Sequence, residues 1–302
     1  MIREVKTMLA PILLLSMMML ACDVPPGGIT TDTAQRQDFR ERDEINQTYQ
    51  LSPGARVEVS SIRGRVEITN SDTATAEVQI IRTARTRGDL EYHKIEVEQT
   101  TNGLVVKGVQ EPEERRGRNI QVNHQVILKL PRRIDLSVAS VSGPVKAGDI
   151  DGQARVTSIS GSAIIGNVGG KLDVTSISGS LDAGNVGADA RVSSISGNAR
   201  LGQVNGSLNV TSVSGAVSVT LTSLSPQGLN IRSVSGSVEI GFKSDVNADF
   251  NAQHISGEVH LDVPNVTREG DEKSNNVRAR IGAGGTPITI TSVSGSVRVT
   301  RS

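Results

Sequence analysis

Asp149 and Asp151 form the best acidic pair for acid–base chemistry in this sequence, and only Ile150 separates them. Two neighbouring carboxylates can serve as general acid and general base in the cleavage of a glycosidic bond. Both aspartates, however, lie at a predicted turn, where Asp is favoured because its carboxylate hydrogen-bonds to nearby backbone. One repeat later the same positions carry Asn167 and Gly169. The pattern therefore favours a structural role, and we predict no catalytic residue.

The four histidines are scattered along the chain, at His93, His124, His254 and His260. His254 and His260 lie on adjacent segments, but no cysteine or acidic residue stands at a metal-ligand spacing from them. The serines lack a histidine and an aspartate at plausible positions, which argues against a serine nucleophile. Glycine-rich nonapeptides also occur in calcium-binding β-rolls, but the position that supplies the aspartate there is variable here. We predict no metal site, no cofactor and no enzymatic activity.

The overall composition excludes several classes of protein. The chain has 302 residues, 32 basic and 32 acidic side chains, one cysteine, no tryptophan, two tyrosines and three phenylalanines. A zero net charge with almost no aromatic rings argues against a nucleic-acid partner, because such binding needs a basic surplus and, for single strands, stacking platforms. A single cysteine excludes a disulfide framework.

The N-terminus is typical of an exported protein. A basic start is followed by an apolar run from Met8 to Leu20, too short to span a bilayer, and by Ala21-Cys22. Residues 19–22 resemble a lipobox, so we predict a signal peptide at 1–21 and lipidation of Cys22. The alternative is an ordinary signal peptide that is cleaved nearby, in which case Cys22 has no special role. Residues 22–38 are the expected lipidated cysteine and flexible tether, which would place the protein in the cell envelope, outside the cytoplasm, at the periplasm or the cell surface.

Behind this leader, residues 39–133 alternate polar and apolar side chains, as in Arg56-Val57-Glu58-Val59. Such alternation predicts half-buried strands. We interpret this region as a β-rich cap for the remainder of the chain. It contains one copy of the pattern that dominates the next region, at residues 62–68.

The remainder, residues 134–302, is built from a repeat. Ser-(Ile/Val)-Ser-Gly recurs every 18 residues, beginning at Ser140, Ser158, Ser176, Ser194 and Ser212. It returns after 21 residues at Ser233, the related His254-Ile255-Ser256-Gly257 follows after 21 more, and the last copy begins at Ser292. Inside it is a nine-residue unit with one short strand and a glycine at the turn. Because such strands cannot bury their faces alone, stacking them as coils predicts an all-β, parallel β-solenoid.

A coil of about 18 residues explains the side chains better than one of 27. It stacks the Ser-Ile/Val-Ser-Gly segments on one edge and Asp149, Asn167, Asn185 and Gln203 on the other, as two polar ladders. We expect a right-handed solenoid with a thin aliphatic core between two facing sheets, which explains the scarcity of aromatic residues. We also expect a loop insertion at 267–287 and a last coil at 288–299, with Arg298 and Arg301 protecting the open end.

Together, the leader, the alternating region that ends in Leu130-Pro131-Arg132 and the serial Ser-Val-Ser-Gly repeats resemble the bacterial DUF4097 adhesin family of β-strand repeat proteins. The resemblance covers about residues 39–302. It implies an extracytoplasmic β-solenoid, and it carries no catalytic residue over to this chain.

These observations lead to one functional hypothesis with two alternatives. We predict a lipid-anchored, non-catalytic β-solenoid that presents a repetitive surface for adhesion, scaffolding or envelope interactions. Its expected partners are the membrane, through Cys22, and a cell-envelope polymer, glycan or protein, with self-association also open. The alternatives are a scaffold that forms filaments by end-to-end stacking and a polysaccharide-active enzyme that would use Asp149 and Asp151.

Overall fold

A computed structural model describes residues 40–110, 120–269 and 276–301, which form 24 strands and one short helix. The N-terminal elements are β1 (Glu41–Gln50), β2 (Ala55–Ser71), β3 (Thr75–Ala84), α1 (Arg87–Tyr92), β4 (His93–Thr100), β5 (Gly103–Gln110) and β6 (Val122–Pro131). The one helix among these described residues, α1, is not long and apolar enough to cross a membrane.

The repeats form the remaining strands. The first twelve are β7 (Ile134–Ser142), β8 (Val145–Ala147), β9 (Ala154–Ser160), β10 (Ala163–Ile165), β11 (Leu172–Ser178), β12 (Leu181–Ala183), β13 (Ala190–Ser196), β14 (Ala199–Gln203), β15 (Leu208–Ser214), β16 (Val217–Leu221), β17 (Leu229–Ser235) and β18 (Val238–Phe242). The last six are β19 (Ala248–Ser256), β20 (Val259–Asp262), β21 (Val266–Glu269), β22 (Asn276–Ile281), β23 (Thr286–Ser294) and β24 (Val297–Arg301).

The repeats wind into a β-solenoid with two parallel sheets, as the sequence predicts. Each coil gives one longer strand to sheet I (β7, β9, β11, β13, β15 and β17) and one shorter strand to sheet II (β8, β10, β12, β14, β16 and β18). In register, Leu172 stands beside Ala190 in sheet I and Leu181 beside Ala199 in sheet II. Both pairs are 18 residues apart, which confirms the coil length.

The core lies between the two sheets and is made of small aliphatic side chains. Alternate residues of each strand point inward, such as Ala154 and Val156, which are at most 2% exposed. The two buried phenylalanines of the repeats, Phe242 and Phe250, belong to the wider C-terminal coils. This arrangement confirms that the thin core of the 18-residue coils selects aliphatic residues.

Glycines make the corner that follows each strand of sheet I. Gly161 and Gly179 have φ values of +133° and +138°, a region that other residues rarely adopt. A Cβ atom on Gly179 would lie 2.0 Å from the carbonyl oxygen of Gly161 in the coil beneath. This corner therefore needs glycine at every level, for conformation and for space.

The C-terminal coils are not stacked in chain order, which corrects one expectation. β23 and β24 lie between the β17/β18 coil and the β19/β20 coil. The coil at 288–299 is therefore internal, and Arg298 and Arg301 do not protect an open end; they pair with Asp262 and Asp245. Every copy of the repeat offers the same inward pattern, so periodicity predicts that a coil exists but not which coil lies beside it.

The expected loop at 267–287 also contains strands. β21 and β22 pair with each other antiparallel, and β22 extends sheet I beyond β19. The reason is visible in β22, where Val277, Ala279 and Ile281 alternate with polar residues and the last two are buried. This two-residue period lies outside the serine motif, so the motif alone does not predict these strands.

At the other end, β2 continues the solenoid. This strand crosses both sheets: its first half pairs with β5 and β7 in sheet I, and its second half pairs with β6 and β8 in sheet II. Antiparallel strands then cover this end, with β3 and β1 beyond β6 and with β4 beyond β5. The cap at residues 39–133 and the repeats at 134–302 thus lie within one compact unit, from residue 39 to 302.

Candidate binding face

One outward row of aliphatic side chains runs along sheet I, and we call it the aliphatic row. Its described members are Val141, Ile159, Ile177, Val213 and Val234, one on each of β7, β9, β11, β15 and β17. Four of them are 45–49% exposed, and Val141 is half-buried. Residues 195, 255 and 293 are aliphatic in the sequence, but their side chains lie outside the described part of the structure.

In the motifs that begin at Ser158 and Ser176, the first serine is buried and the aliphatic residue after it is exposed, which is the reverse of what a hydrophilic edge requires. The first serine of the motif points into the core: Ser158 is 2% exposed and Ser176 is 6% exposed, whereas the following Ile159 and Ile177 face solvent. The hydroxyls of Ser158 and Ser176 have no hydrogen-bond partner. The prediction of a polar serine ladder at this edge is therefore wrong for the first serine of the motif.

The alternation of β9 carries the signal that would have revealed the row. Ala154 and Val156 point inward, so the same period of two places Ser158 inward and Ile159 outward. Treating all nine-residue units as equivalent hid this, because Ile150 starts such a unit as well and is 1% exposed at the other edge. The two edges of the coil are not equivalent.

Uncharged side chains flank the aliphatic row on both sides. Toward the N-terminus of β9, β11, β13 and β15 lies a row of hydroxyls, Thr157, Thr175, Ser193 and Thr211. On the other side lie the second serines of the motif, which are exposed: Ser142, Ser160, Ser178, Ser196, Ser214 and Ser235. We call these three rows the charge-free strip; the exposed Arg232, on β17, ends the hydroxyl row.

A ladder of amides and carboxylates stabilises the opposite edge, as the sequence predicts. The Asn167 backbone N–H donates to Oδ1 of Asp149 at 2.8 Å, and those of Asn185 and Gln203 donate to Oδ1 of the residue one coil below, both at 2.9 Å. Asn70 of β2 begins the ladder, because its Oδ1 accepts from the Asp149 N–H at 2.9 Å. These hydrogen bonds connect successive coils along this edge.

The two aspartates at this edge form ion pairs with one arginine, Arg132. Arg132 lies 3.2 Å from Oδ2 of Asp149 and 3.4 Å from Oδ1 of Asp151. Asp149 also accepts the hydrogen bond from the Asn167 backbone N–H described above. With these contacts both carboxylates stabilise the turn, in line with the structural role that the sequence favours.

Charged side chains lie next to the strip on sheet I and also on the outer face of sheet II. Arg155 and Asp173 approach to 3.7 Å, and on sheet II Arg200 and Asp182 approach to 3.6 Å, so stacked neighbours of opposite charge attract. A shallow groove of about 270 Å³ lies among Arg56, Asp135, Arg155 and Lys171. The groove holds both charge signs, which suits no single class of charged ligand.

The coil above adds one perturbed carboxylate to this face. The backbone N–H of Ser207 donates to Oδ1 of Asp189 at 2.9 Å, and this bond holds the pKa of the Asp189 carboxyl below its usual range. The Ser207 hydroxyl and Lys171 act in the same direction. Asp189 therefore acts as a ladder residue between two coils.

Three of the four histidines, His93, His124 and His260, lie apart from this face. His93 and His124 are 8% and 3% exposed in the N-terminal cap, with ring centroids 6.1 Å apart. Burial lowers the pKa of His124 to about 4, with smaller contributions from His93 and Arg82. His260 is exposed near Glu258, 3.5 Å away.

The remaining predicted site residues fall outside what the structure describes. Neither Cys22 nor the side chain of His254 is among the described residues, so the predicted lipidation and the His254–His260 pair stay predictions. Within the described ranges, no group of three or more His, Cys, Asp or Glu side chains could hold a metal ion.

Comparisons with known proteins identify one family and solved structures of low sequence identity. The sequence model of the Toastrack DUF4097 family matches residues 55–300. A solved "putative adhesin" from Bacteroides fragilis is 13% identical with a TM-score of 0.50; the match covers 85% of this chain and 97% of that one. A "putative adhesin" from Parabacteroides distasonis is 10% identical with a TM-score of 0.37, covering 85% and 97%. No curated protein matches the chain.

Proposed function

Because the chain belongs to the Toastrack DUF4097 family, we propose that it is a lipid-anchored, extracytoplasmic β-solenoid whose charge-free strip binds other components of the cell envelope. The observation that carries this proposal is the aliphatic row, where Ile159 and Ile177 on two neighbouring strands, and Val213 and Val234 on two others, are each almost half exposed. A row of exposed apolar side chains bordered by polar residues is typical of an interaction site.

The rest of the strip suits binding as well. Charged residues are depleted at the centre of protein interfaces because burying an unpaired charge is costly. The strip provides exposed hydroxyls and aliphatic groups over five neighbouring strands, from β7 to β15, and Arg232 takes the hydroxyl position on the sixth, β17. It can therefore be covered by a partner without desolvating a charge.

The proposed role is structural and not catalytic. Asp149 and Asp151, the strongest candidates for acid–base chemistry, are engaged by Arg132 and by the ladder. Both ends of the solenoid also carry antiparallel strands, namely β1, β3 and β4 at one end and β21 and β22 at the other. These strands disfavour filaments made by parallel end-to-end stacking.

Anchoring is tested in bacterial cells that produce the full chain. We expect the full chain to fractionate with membranes and to be labelled by a fatty acid, and Cys22→Ala to lose the label. Protease added to intact cells would show whether the domain lies at the surface or in the periplasm. An unlabelled chain found in the cytoplasm would contradict the proposed anchoring.

Binding is tested with purified full-length chain and isolated envelope material. We expect the chain to sediment with this material and Ile177→Glu to weaken that binding at least about tenfold, since it places an unpaired charge in the contact. Ile164→Glu is the matched control, because Ile164 is 47% exposed on sheet II, away from the strip. Equal binding by the two variants, or no binding by the natural chain, would refute the role of the strip.

A further inference from the structure

We propose that the charge-free strip binds the same strip of a second copy of this chain. This inference rests on the proposed function for the premise that the strip is a binding surface, and it names the partner. It begins from the geometry of the aliphatic row, in which Ile159 and Ile177 occupy neighbouring strands that pair in register.

The row has a fixed period. Paired strands lie about 4.8 Å apart, so β-branched side chains protrude at that interval, with a gap between each pair. The repeat keeps this interval because Ser158 stands beside Ser176 and Ser160 beside Ser178. The surface is an in-register stack of nearly identical short segments.

A partner fills such gaps at every level only if it has the same period. In-register stacks of identical side chains form dry, interdigitated contacts with a second stack of the same kind. A second copy of this chain necessarily has the matching period. Two copies related by a two-fold axis with their solenoid axes antiparallel can shift by half a level, which places each aliphatic side chain in a gap of the other.

The neighbouring side chains agree with this pairing. Rows of hydroxyls lie on both sides of the aliphatic row, as at Thr157 and Ser160, and can donate and accept across the contact. Arg155 and Asp173 lie in the next outward row and pair with each other at 3.7 Å, so they can remain at the solvated rim. No unpaired charge has to be buried at the centre of the pair.

The size of the strip sets the strength of the contact. From β7 to β15 it spans four strand spacings, about 19 Å, and its width of three residues is about 10 Å. The resulting area, about 190 Å² per copy, lies well below the roughly 800 Å² per partner of a standard stable interface. We therefore expect weak association in solution and stronger association between anchored copies, whose effective concentration is higher.

The test is sedimentation equilibrium of the full-length chain in detergent, at concentrations up to about 500 µM, a range that covers the weak affinity expected of a small interface. We expect a monomer–dimer equilibrium, weakened at least about tenfold by Ile159→Glu because the charge would be buried unpaired. Ile164→Glu is the control on the same coil, since Ile159 and Ile164 are both 47% exposed. Circular dichroism spectra of both variants would establish that they fold.

Two outcomes would overturn the proposal: a strict monomer over the whole concentration range, or equal dissociation constants for the two variants. The outcome is separable from that of the proposed function. A monomeric chain that still binds envelope material through Ile177 would overturn self-pairing alone. A chain that pairs through Ile159 but binds no envelope material would overturn the proposed envelope binding alone.

Discussion

Lowering the pH should destabilise the N-terminal cap through one histidine. His124 is 3% exposed, and neither ring nitrogen has a hydrogen-bond partner within 3.5 Å. Burial lowers its pKa from 6.5 to about 4, and the nearby His93, Arg82 and Arg63 act in the same direction, while the His93 backbone carbonyl opposes them weakly. The folded chain thus favours neutral His124, whereas the unfolded chain binds a proton below about pH 6.5.

The sign and the magnitude follow from linkage. The stability that neutral His124 permits is fully present above pH 6.5 and is lost as the pH falls from 6.5 toward 4. With a pKa of about 4 in the folded state, the loss is about 2 kcal/mol at pH 5 and about 3 kcal/mol at pH 4. Since other groups titrate in this range, the histidine must be isolated by a variant.

The assay is the free energy of unfolding in urea between pH 7.5 and 4, for the natural chain and for His124→Leu. We expect the two curves to diverge in favour of the variant below pH 6.5, by about 3 kcal/mol at pH 4 relative to pH 7.5. His260→Gln, at an exposed histidine, is the control and should follow the natural chain. Parallel curves for the natural chain and His124→Leu would refute this reasoning.

Three further predictions concern the coils, each measured as the free energy of unfolding. Gly179→Ala should destabilise the fold by more than about 2 kcal/mol, because the φ of Gly179 is +138° and the new Cβ would meet the Gly161 carbonyl. Gly88→Ala is the control and should not destabilise the fold, since its Cβ would meet only Thr86 Oγ1, at 4.0 Å. Similar losses of stability in the two variants would be evidence against this corner geometry. Asn167→Ala should lower the free energy of unfolding by about 1 kcal/mol, because it removes the acceptor for the Asn185 N–H. An unchanged free energy would mean that water replaces this hydrogen bond without loss of stability. Ser176→Ala should leave stability unchanged or raise it by about 1 kcal/mol, since the Ser176 hydroxyl is buried without a partner; a clear loss would reveal a hydrogen bond that the structure does not contain.

The elements that the sequence predicts well depend on local and repeated patterns. The 18-residue coil and the edge ladder follow from the spacing of Asp149, Asn167 and Asn185, because identical positions must stack when coils have constant length. The aliphatic core follows from a period of two within each strand. Such features need no knowledge of which segments meet across the chain.

The elements that were missed depend on choices between equivalent patterns. The interior position of β23 and β24 depends on which apolar coil packs on which, and all coils offer the same face. The outward position of Ile159 and Ile177 was hidden because an aliphatic residue in a repeat is expected inside, whereas here Ser158 and Ser176 are inside. Only the alternation along each strand distinguishes the two orientations.

The most direct test of the binding face is the accessibility of two adjacent positions on β11. Ser176→Cys and Ile177→Cys are treated with a thiol reagent in the native, full-length chain at low concentration, and labelling is read by peptide mass spectrometry, which separates the site from Cys22. Ile177 is 45% exposed and Ser176 is 6% exposed, so the thiol at 177 should react rapidly and the thiol at 176 only after unfolding. Rapid labelling at 176 with protection at 177 would contradict an outward aliphatic row and, with it, the proposed binding face.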